Sequence, residues 1–307
     1  LIMYIFTDST NRVDLLFSGN HQWEKLNTEK LINHEYEQLV SKLIKNPSFT
    51  EMETELGWHS LIHTQFSTKS QFDILTGIAK NCPELPDGIL CHADSGNKFH
   101  GQKHRSWETS SGNIHLSVLL TPHIPTERMN SKFLTMAVIS VIETIDSFPG
   151  LREKSKIKWP NDIYINNSKV GGILTQCFTS ENRIRAVVLG IGLNVEAVPE
   201  ISGDKFTPRA GCLKDYSESV VIKSVFQKLL DSLYTHYQLV KNNQTKKLHD
   251  LYINRSIVIG KNCAIYVEDK TNADFTGKVS GLGNDLELIF ENKSQSIRNG
   301  RLEILGF

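Results

Sequence analysis

Apolar residues recur along this chain with two different periods. From Ser131 to Phe148 they fall at Phe133, Leu134, Ala137, Val138, Val141, Ile142 and Ile145. That spacing predicts a helix with one core-facing stripe, capped by Ser131. Ser217 to Val240 repeats the pattern through Val221, Ile222, Val225, Leu229, Leu233, Tyr234 and Tyr237, and a shorter helix is predicted over Thr28 to Leu43. Shorter apolar runs predict strands at Ile2 to Phe6, Ser60 to Phe66, Gly88 to Ala93, Ile114 to Leu120, Ile157 to Trp159, Asp162 to Asn166, Val170 to Cys177 and Ile184 to Val195. From Trp58 onward, strands and helical segments alternate. Asn166-Asn167, set between Tyr164-Ile165 and Val170-Gly171, predicts a hairpin turn, because Asn tolerates the left-handed backbone such turns require. That hairpin would hold Asp162 close to Lys169.

The polar stretch Lys241 to Lys247 reads as the end of a large unit. Beyond Tyr252, short strands split by Gly260, Gly277, Gly281, Gly283 and Gly300 predict a small β-barrel. The division expected is therefore 1–52 with no assigned role, 53–250 as the main domain and 251–307 as the small one. A length of 307 residues agrees with two domains.

Composition narrows the function classes. Apolar residues form 39% and charged residues 22% of the chain, as in ordinary globular proteins. Lys plus Arg and Asp plus Glu number 34 each, so no net positive field would hold a polyanion, and no nucleic-acid partner is expected. The opening run Leu1 to Phe6 is too short for a signal-peptide core or a membrane span, which predicts a soluble, cytoplasmic protein with no membrane partner. Five scattered cysteines, Cys82, Cys91, Cys177, Cys212 and Cys263, show no C-x-x-C spacing and indicate neither a disulfide framework nor a zinc cluster. The pairs His59/His63 and His100/His104 are four apart, but neither stretch reads as a helix with further ligands nearby, so no metal role follows from spacing.

The chemistry concentrates in Lys158-Trp159-Pro160-Asn161-Asp162-Ile163-Tyr164, followed by Lys169-Val170-Gly171-Gly172-Ile173-Leu174. Asp162 has the hard oxygen donors that suit magnesium. Lys169 is a compact charge suited to a phosphate or carboxylate, and Gly171-Gly172 allow a ligand close to the backbone. A hairpin with solvated charges and glycines kept for packing explains the same residues equally well.

A wider resemblance bears on that choice. The KWPND stretch, the K-x-G-G-I-L run and Gly190-Ile191-Gly192-Leu193-Asn194-Val195 together resemble the central signature of biotin protein ligases. The resemblance runs from about Leu56 to the C-terminus. Ser67-Thr68-Lys69 is similar to the family's S-T-N strand end, and Pro208 to Leu213 to the P-x-x-C-L segment of some ligases. The segment entered through Ile253-Asn254-Arg255 resembles its SH3-like C-terminal domain.

The resemblance implies an α+β fold: a mixed-sheet catalytic domain of the biotin/lipoate ligase type followed by a small SH3-like β-barrel. It implies ATP-dependent formation of biotinyl-5'-AMP, with Mg2+ present, and transfer of biotin to a lysine of a biotin carboxyl carrier domain from a biotin-dependent carboxylase. Family members often pair through the large sheet, so a homodimer is compatible with it. Carried over by position, Ser67, Thr68 and Lys69 contact biotin, and Lys169 bridges the biotin carboxyl and the α-phosphate. Asn161 and Asp162 serve the nucleotide and its magnesium, Gly171 and Gly172 admit the ligand, and Asn194 shapes the pocket. The covering loop departs from the family's G-R-G-R-x-G-x-x-W. Aligned on Trp107, it reads Phe99-His100-Gly101-Gln102-Lys103-His104-Arg105-Ser106-Trp107. Gly101 remains, while His100 and Gln102 replace the two arginines. Lys103 and Arg105 supply positive charge nearby, with Arg105 expected to act in catalysis beside Lys169, and the biotin-contacting Gln falls at Gly96 or Asn97. The competing readings are a lipoate or octanoate ligase or transferase of the same fold, and a biotin-binding protein without catalysis.

Overall fold

The computed structural model describes residues 1–17, 21–26, 34–81, 84–126, 130–207, 209–267, 272–291 and 296–306. In chain order, the first third forms β1 (Ile2–Thr7), α1 (Thr10–Leu16), β2 (Glu24–Lys25), α2 (His34–Leu43), β3 (Ser48–Glu53), β4 (Ser60–Ser67), α3 (Gln71–Asn81) and β5 (Ile89–Gly96). The middle forms β6 (Ile114–Leu120), β7 (Ile124–Pro125), α4 (Asn130–Asp146), β8 (Ser155–Lys158), β9 (Asp162–Ile165), β10 (Ser168–Ser180) and β11 (Arg183–Leu193). The last third forms α5 (Ile222–Lys241), α6 (Lys246–Arg255), β12 (Asn262–Tyr266), β13 (Phe275–Leu282), β14 (Leu288–Phe290) and β15 (Arg301–Ile304).

One mixed sheet takes the strands up to β11 in the order β2-β3-β1-β4-β5-β6-β11-β10-β9-β8, with β7 paired to β11. The β1, β4 and β5 strands run parallel, and the pairs from β5 through β6, β11, β10 and β9 to β8 are antiparallel. Alternation along each strand splits the core between the two faces. On β4, Leu61 joins Leu90, Leu116 and Val118 against the buried stripes of α4 and α5. The next residue, Ile62, joins Ile89, Cys91 and Val188 against α2 and α3. The architecture is thus α+β, with helices on both faces of a mixed sheet.

The predicted strands and the two long helices are present with shifted ends. Of the helix expected over Thr28 to Leu43, residues 28–33 lie outside the described residues, as do Cys82 and Pro208. Within residues 1–52, which the sequence left without an assigned role, β1, β2 and β3 belong to the same sheet. The apolar β1 inserts between β3 and β4, with Tyr4 opposite Glu51 on one side and Ser60 on the other. The boundary expected at 250/251 falls inside α6. That helix stays with the large sheet, because Tyr252 is fully buried and donates to Pro160 O at 2.7 Å, and Arg255 donates to Ser155 O at 3.0 Å and pairs with Asp146.

The separate C-terminal sheet is four-stranded and antiparallel, in the order β14-β13-β12-β15. Its Cys263, Ile265, Val279 and Leu288 are continuous with the apolar core of the large sheet, and Trp159 Nε1 donates to Leu286 O at 2.6 Å. No helix among the described residues is long and apolar enough to cross a membrane.

Candidate ligand-binding site

The hairpin β9–β10 is the floor of the site. Asn166 holds the turn at φ 52°, the left-handed backbone expected of it. Lys169 then lies opposite Tyr164 and Gly172 opposite Asp162, with a register shift between Lys169 and Gly171. In a regular strand, residues 169 and 172 would face opposite sides; the extra residue of the bulge returns both to one face. Lys169 Nζ consequently reaches Asp162 Oδ1 at 2.6 Å, with each side chain about 20% exposed.

Beside this pair, Gly172, Gly190 and Gly192 leave gaps in the side-chain cover of the sheet. A Cβ on Gly192 would lie 2.4 Å from Trp107 Cζ2, so the indole of Trp107 lies directly against bare β11 backbone. Lys169 Nζ stands 5.7 Å from the centroid of the same ring. Trp107 Nε1 and Asn194 Oδ1 are buried without a hydrogen-bond partner among the described residues. An unpaired buried polar atom costs about 1 to 3 kcal/mol, which a ligand offering a complementary group would recover.

These groups border a cavity of about 410 Å³, within the range of small-molecule sites. Lys169, Asp162, Asn161, Gly172 and Asn194 line its floor, and His100, Gly101, Gln102, Arg105 and Trp107 line the overhanging loop. Asn161 is held by its amide, which donates to Ile173 O at 2.6 Å, and Asn194 donates to Gly211 O at 2.9 Å.

The other expected residues lie elsewhere. Ser67 is buried and donates to Lys69 O at 2.7 Å, while Thr68, Lys69 and Asn97 are exposed. Lys103 donates to Val267 O at 2.8 Å, which ties the loop to the C-terminal module. Gly171 packs against Gly192 O.

The altered loop is a compact hairpin of its own. Trp107 N donates to Phe99 O at 2.9 Å and Gly101 N to Arg105 O at 2.7 Å, around a 3-10 turn at Gln102–His104. His104, standing at a glycine position of the family pattern, keeps φ at 55°. His100, in place of an arginine, binds Asp73 Oδ1 at 2.8 Å and Gly101 O at 2.9 Å. Burial opposes its charged form, but these bonds and the Asp73 charge outweigh it and hold His100 above the ordinary histidine value.

The sequence reading missed several groups. His115 lines the cavity from β6, and burial pushes its pKa down to about 4 against the partly offsetting bond to Ser110 O, so it is a neutral ring at pH 7. Phe72 and Ser70 enter from the start of α3. Asp204 and Thr207 come from the segment after β11, and Arg301 from β15. Asp204 accepts from the backbones of Phe206 and Thr207 and pairs with Arg301 at 2.9 Å. The Arg301 guanidinium stacks 3.6 Å from the Phe206 ring centroid. Lys158 is buried beneath that segment and donates to Phe206 O; burial lowers its pKa to about 8. The second sheet thus clamps the cavity's outer wall.

Known proteins resemble this chain in sequence and fold. Residues 68–194, which carry the β9–β10 hairpin, the bare β11 backbone and the covering loop, match the Biotin/lipoate A/B protein ligase family. The bifunctional ligase/repressor BirA of Bacillus subtilis is 28% identical over 280 residues, covering 88% of this chain and 84% of that protein. Biotin--protein ligase 1, chloroplastic, of Arabidopsis thaliana is 29% identical over 57% of this chain and 47% of its own length. Among solved structures, the biotin protein ligase from Aquifex aeolicus in complex with biotin and ATP superposes with a TM-score of 0.59 at 22% identity, covering 79% of this chain and 97% of that one. Residues 68–194 of this chain thus carry a domain that matches the biotin/lipoate A/B protein ligase family.

Proposed function

We propose that the protein activates biotin with ATP to biotinyl-5'-AMP and transfers the biotinyl group to a lysine of a biotin carboxyl carrier domain. The observation that carries this reading is the Lys169–Asp162 pair at 2.6 Å on the floor of a cavity roofed by Trp107. Formation of the adenylate needs no protein nucleophile: the biotin carboxylate attacks the α-phosphate and pyrophosphate leaves. What it needs is two anions brought together and stabilisation of the charge that grows at phosphorus. Lys169 supplies a cation at the meeting point by turning from Asp162 to the carboxylate and the α-phosphate. Arg105, at the cavity edge, adds a second positive group.

Asp162 fits magnesium in kind. Mg2+ with a nucleotide is held through one or two carboxylates, the remaining positions going to phosphate and water. Asp162 offers one such carboxylate facing the cavity, and Asp204 is already engaged by two backbone N–H groups and Arg301. Bound there, the ion would neutralise phosphate charge. Trp107 and the 99–107 hairpin cover the glycine-floored surface and exclude water from the mixed anhydride, whose hydrolysis would waste ATP. The missing side chain at Gly172 keeps the floor beside Lys169 open, and Gly192 seats the Trp107 ring.

The test is biotin-dependent exchange of labelled pyrophosphate into ATP, run on the wild type and on Lys169→Ala. The reading requires exchange by the wild type and a loss of about 100-fold or more in the variant. Near-normal exchange by Lys169→Ala would overturn Lys169's role. Exchange driven by lipoate or octanoate in place of biotin would reassign the acyl substrate.

A further inference from the structure

On the opposite face of the sheet from the cavity lies a buried polar cluster with no part in the reaction above. His63 on β4 and His92 on β5 are register partners on adjacent parallel strands, and Asp94 follows two residues after His92 on the same face. All three are buried, and one donor atom from each lies within 4.8 Å of the others. Residues 29 apart in sequence meet here only because of strand pairing, so no sequence spacing announces the group.

Three features point to a ligand. Both ring nitrogens of His92 are buried with no hydrogen-bond partner, in a side chain with no exposure. A neutral imidazole carries one N–H donor and one lone pair, so both needs go unmet among the described residues. Next, His63 Nε2 and Asp94 Oδ1 are 3.3 Å apart. Two ligands of a tetrahedral zinc ion, each near 2.1 Å from the metal, are about 3.4 Å apart. Finally, the outer groups are those that orient metal ligands. Thr7 Oγ1 sits 2.8 Å from His63 Nδ1 and can accept its proton, leaving the Nε2 lone pair facing inward. Arg12 Nε donates to Asp94 Oδ2 at 2.7 Å, while Oδ1 meets His63 Nε2 in a 3.3 Å hydrogen bond that a bound ion would replace. The Arg12 side chain is 34% exposed, so its own charge is partly hydrated.

We propose that His63, His92 and Asp94 bind one divalent transition-metal ion of the zinc type through two imidazole nitrogens and one carboxylate oxygen. Imidazole with a single carboxylate suits zinc and its borderline neighbours better than magnesium or calcium, which prefer all-oxygen sites. Burial holds His92 in the neutral form that coordinates metals. The ion fastens β1 and α1, through Thr7 and Arg12, to the strand that leads into the 97–107 segment. The inference is independent of the activity proposed above.

The test uses the full chain stripped with a chelator and titrated with ZnCl2 against a chromophoric zinc indicator, with Co2+ substitution as a spectroscopic probe. The wild type takes up one equivalent, and its Co2+ form shows the intense visible bands of a tetrahedral site. His92→Leu, which also removes the unpartnered ring, lowers affinity by about 100-fold or more; Thr7→Val lowers it by about 10-fold. X-ray absorption at the zinc edge of the wild type, which requires no variant to fold, shows two imidazoles at about 2.0 Å. No stoichiometric uptake, uptake unchanged in folded His92→Leu, or an absorption spectrum with fewer than two imidazoles overturns the proposal.

Discussion

Replacing Gly192 by Ala tests whether bare backbone beneath Trp107 sets the shape of the site. The new methyl would lie 2.4 Å from Cζ2, 2.5 Å from Cε2 and 3.0 Å from Nε1 of the indole. Carbon atoms settle at about 3.5 to 4.0 Å, so the ring must withdraw by about 1 to 1.5 Å. The strand itself gains: Ala is better than Gly in a strand interior by about 0.5 to 1 kcal/mol, and Gly192 is not at positive φ. Folding stability should therefore change little. The covering loop moves instead, because Trp107 N is tied to Phe99 O at the base of the 99–107 hairpin. A 1 Å displacement of a positioning group costs about 100-fold in rate, which is the loss expected in biotinyl-AMP formation. The cycle with Trp107→Phe isolates the cause. The smaller ring lacks the colliding Cζ2 and Nε1 atoms, so Gly192→Ala should cost much less in that background, giving strong non-additivity. Full activity in Gly192→Ala, or losses that simply multiply in the double variant, would refute the reasoning.

Other consequences follow from the loop and its clamp. Because His100 is held above its ordinary value by Asp73 and Gly101, its contribution is complete below about pH 6.5 and is lost as pH rises through the elevated folded value. Tryptic cleavage at Lys103 and Arg105 should rise toward alkaline pH in the wild type relative to Asp73→Asn, in which that dependence flattens; identical ratios at every pH would contradict it. Arg301→Ala removes a half-exposed ion pair with Asp204 and the stack on Phe206, together about 1 to 2 kcal/mol, and should weaken nucleotide binding about tenfold by calorimetry. His104→Gly should raise thermal stability by about 1 kcal/mol, since His104 keeps a left-handed φ that glycine adopts without strain.

Much of the site was readable from short-range pattern. The Asn166-Asn167 turn and the spacing from Asp162 to Lys169 put two charges on one hairpin, and the structure closes them to 2.6 Å. The bulge that returns Gly172 to their face leaves no sequence signal beyond the glycines themselves. The start of α3 was legible in principle: Ser70 Oγ accepts from Asp73 N at 3.3 Å, and Leu75, Ile78 and Ala79 recur at helical spacing. The cavity groups His115 and Arg301 were not legible, because strand pairing and packing of the second sheet bring them in from distant positions. The same holds for the place of β1 in the sheet: the strand was readable as an apolar run, but its parallel partner begins more than fifty residues later. Residues that bind through local geometry leave local traces, and those recruited by tertiary contact do not. In the triplet Ser67-Thr68-Lys69, the Ser67 hydroxyl donates to the Lys69 backbone carbonyl, and Thr68 and Lys69 are exposed.

The most direct measurement is mass-spectrometric detection of biotinyl-5'-AMP after incubating the full chain with biotin and Mg-ATP, with released pyrophosphate quantified in parallel. The account predicts one enzyme-bound adenylate per active site, with matching pyrophosphate, in the wild type and a loss of about 100-fold in Lys169→Ala. Tight biotin binding with no adenylate and no pyrophosphate would contradict it, and would leave a binding protein on a ligase fold.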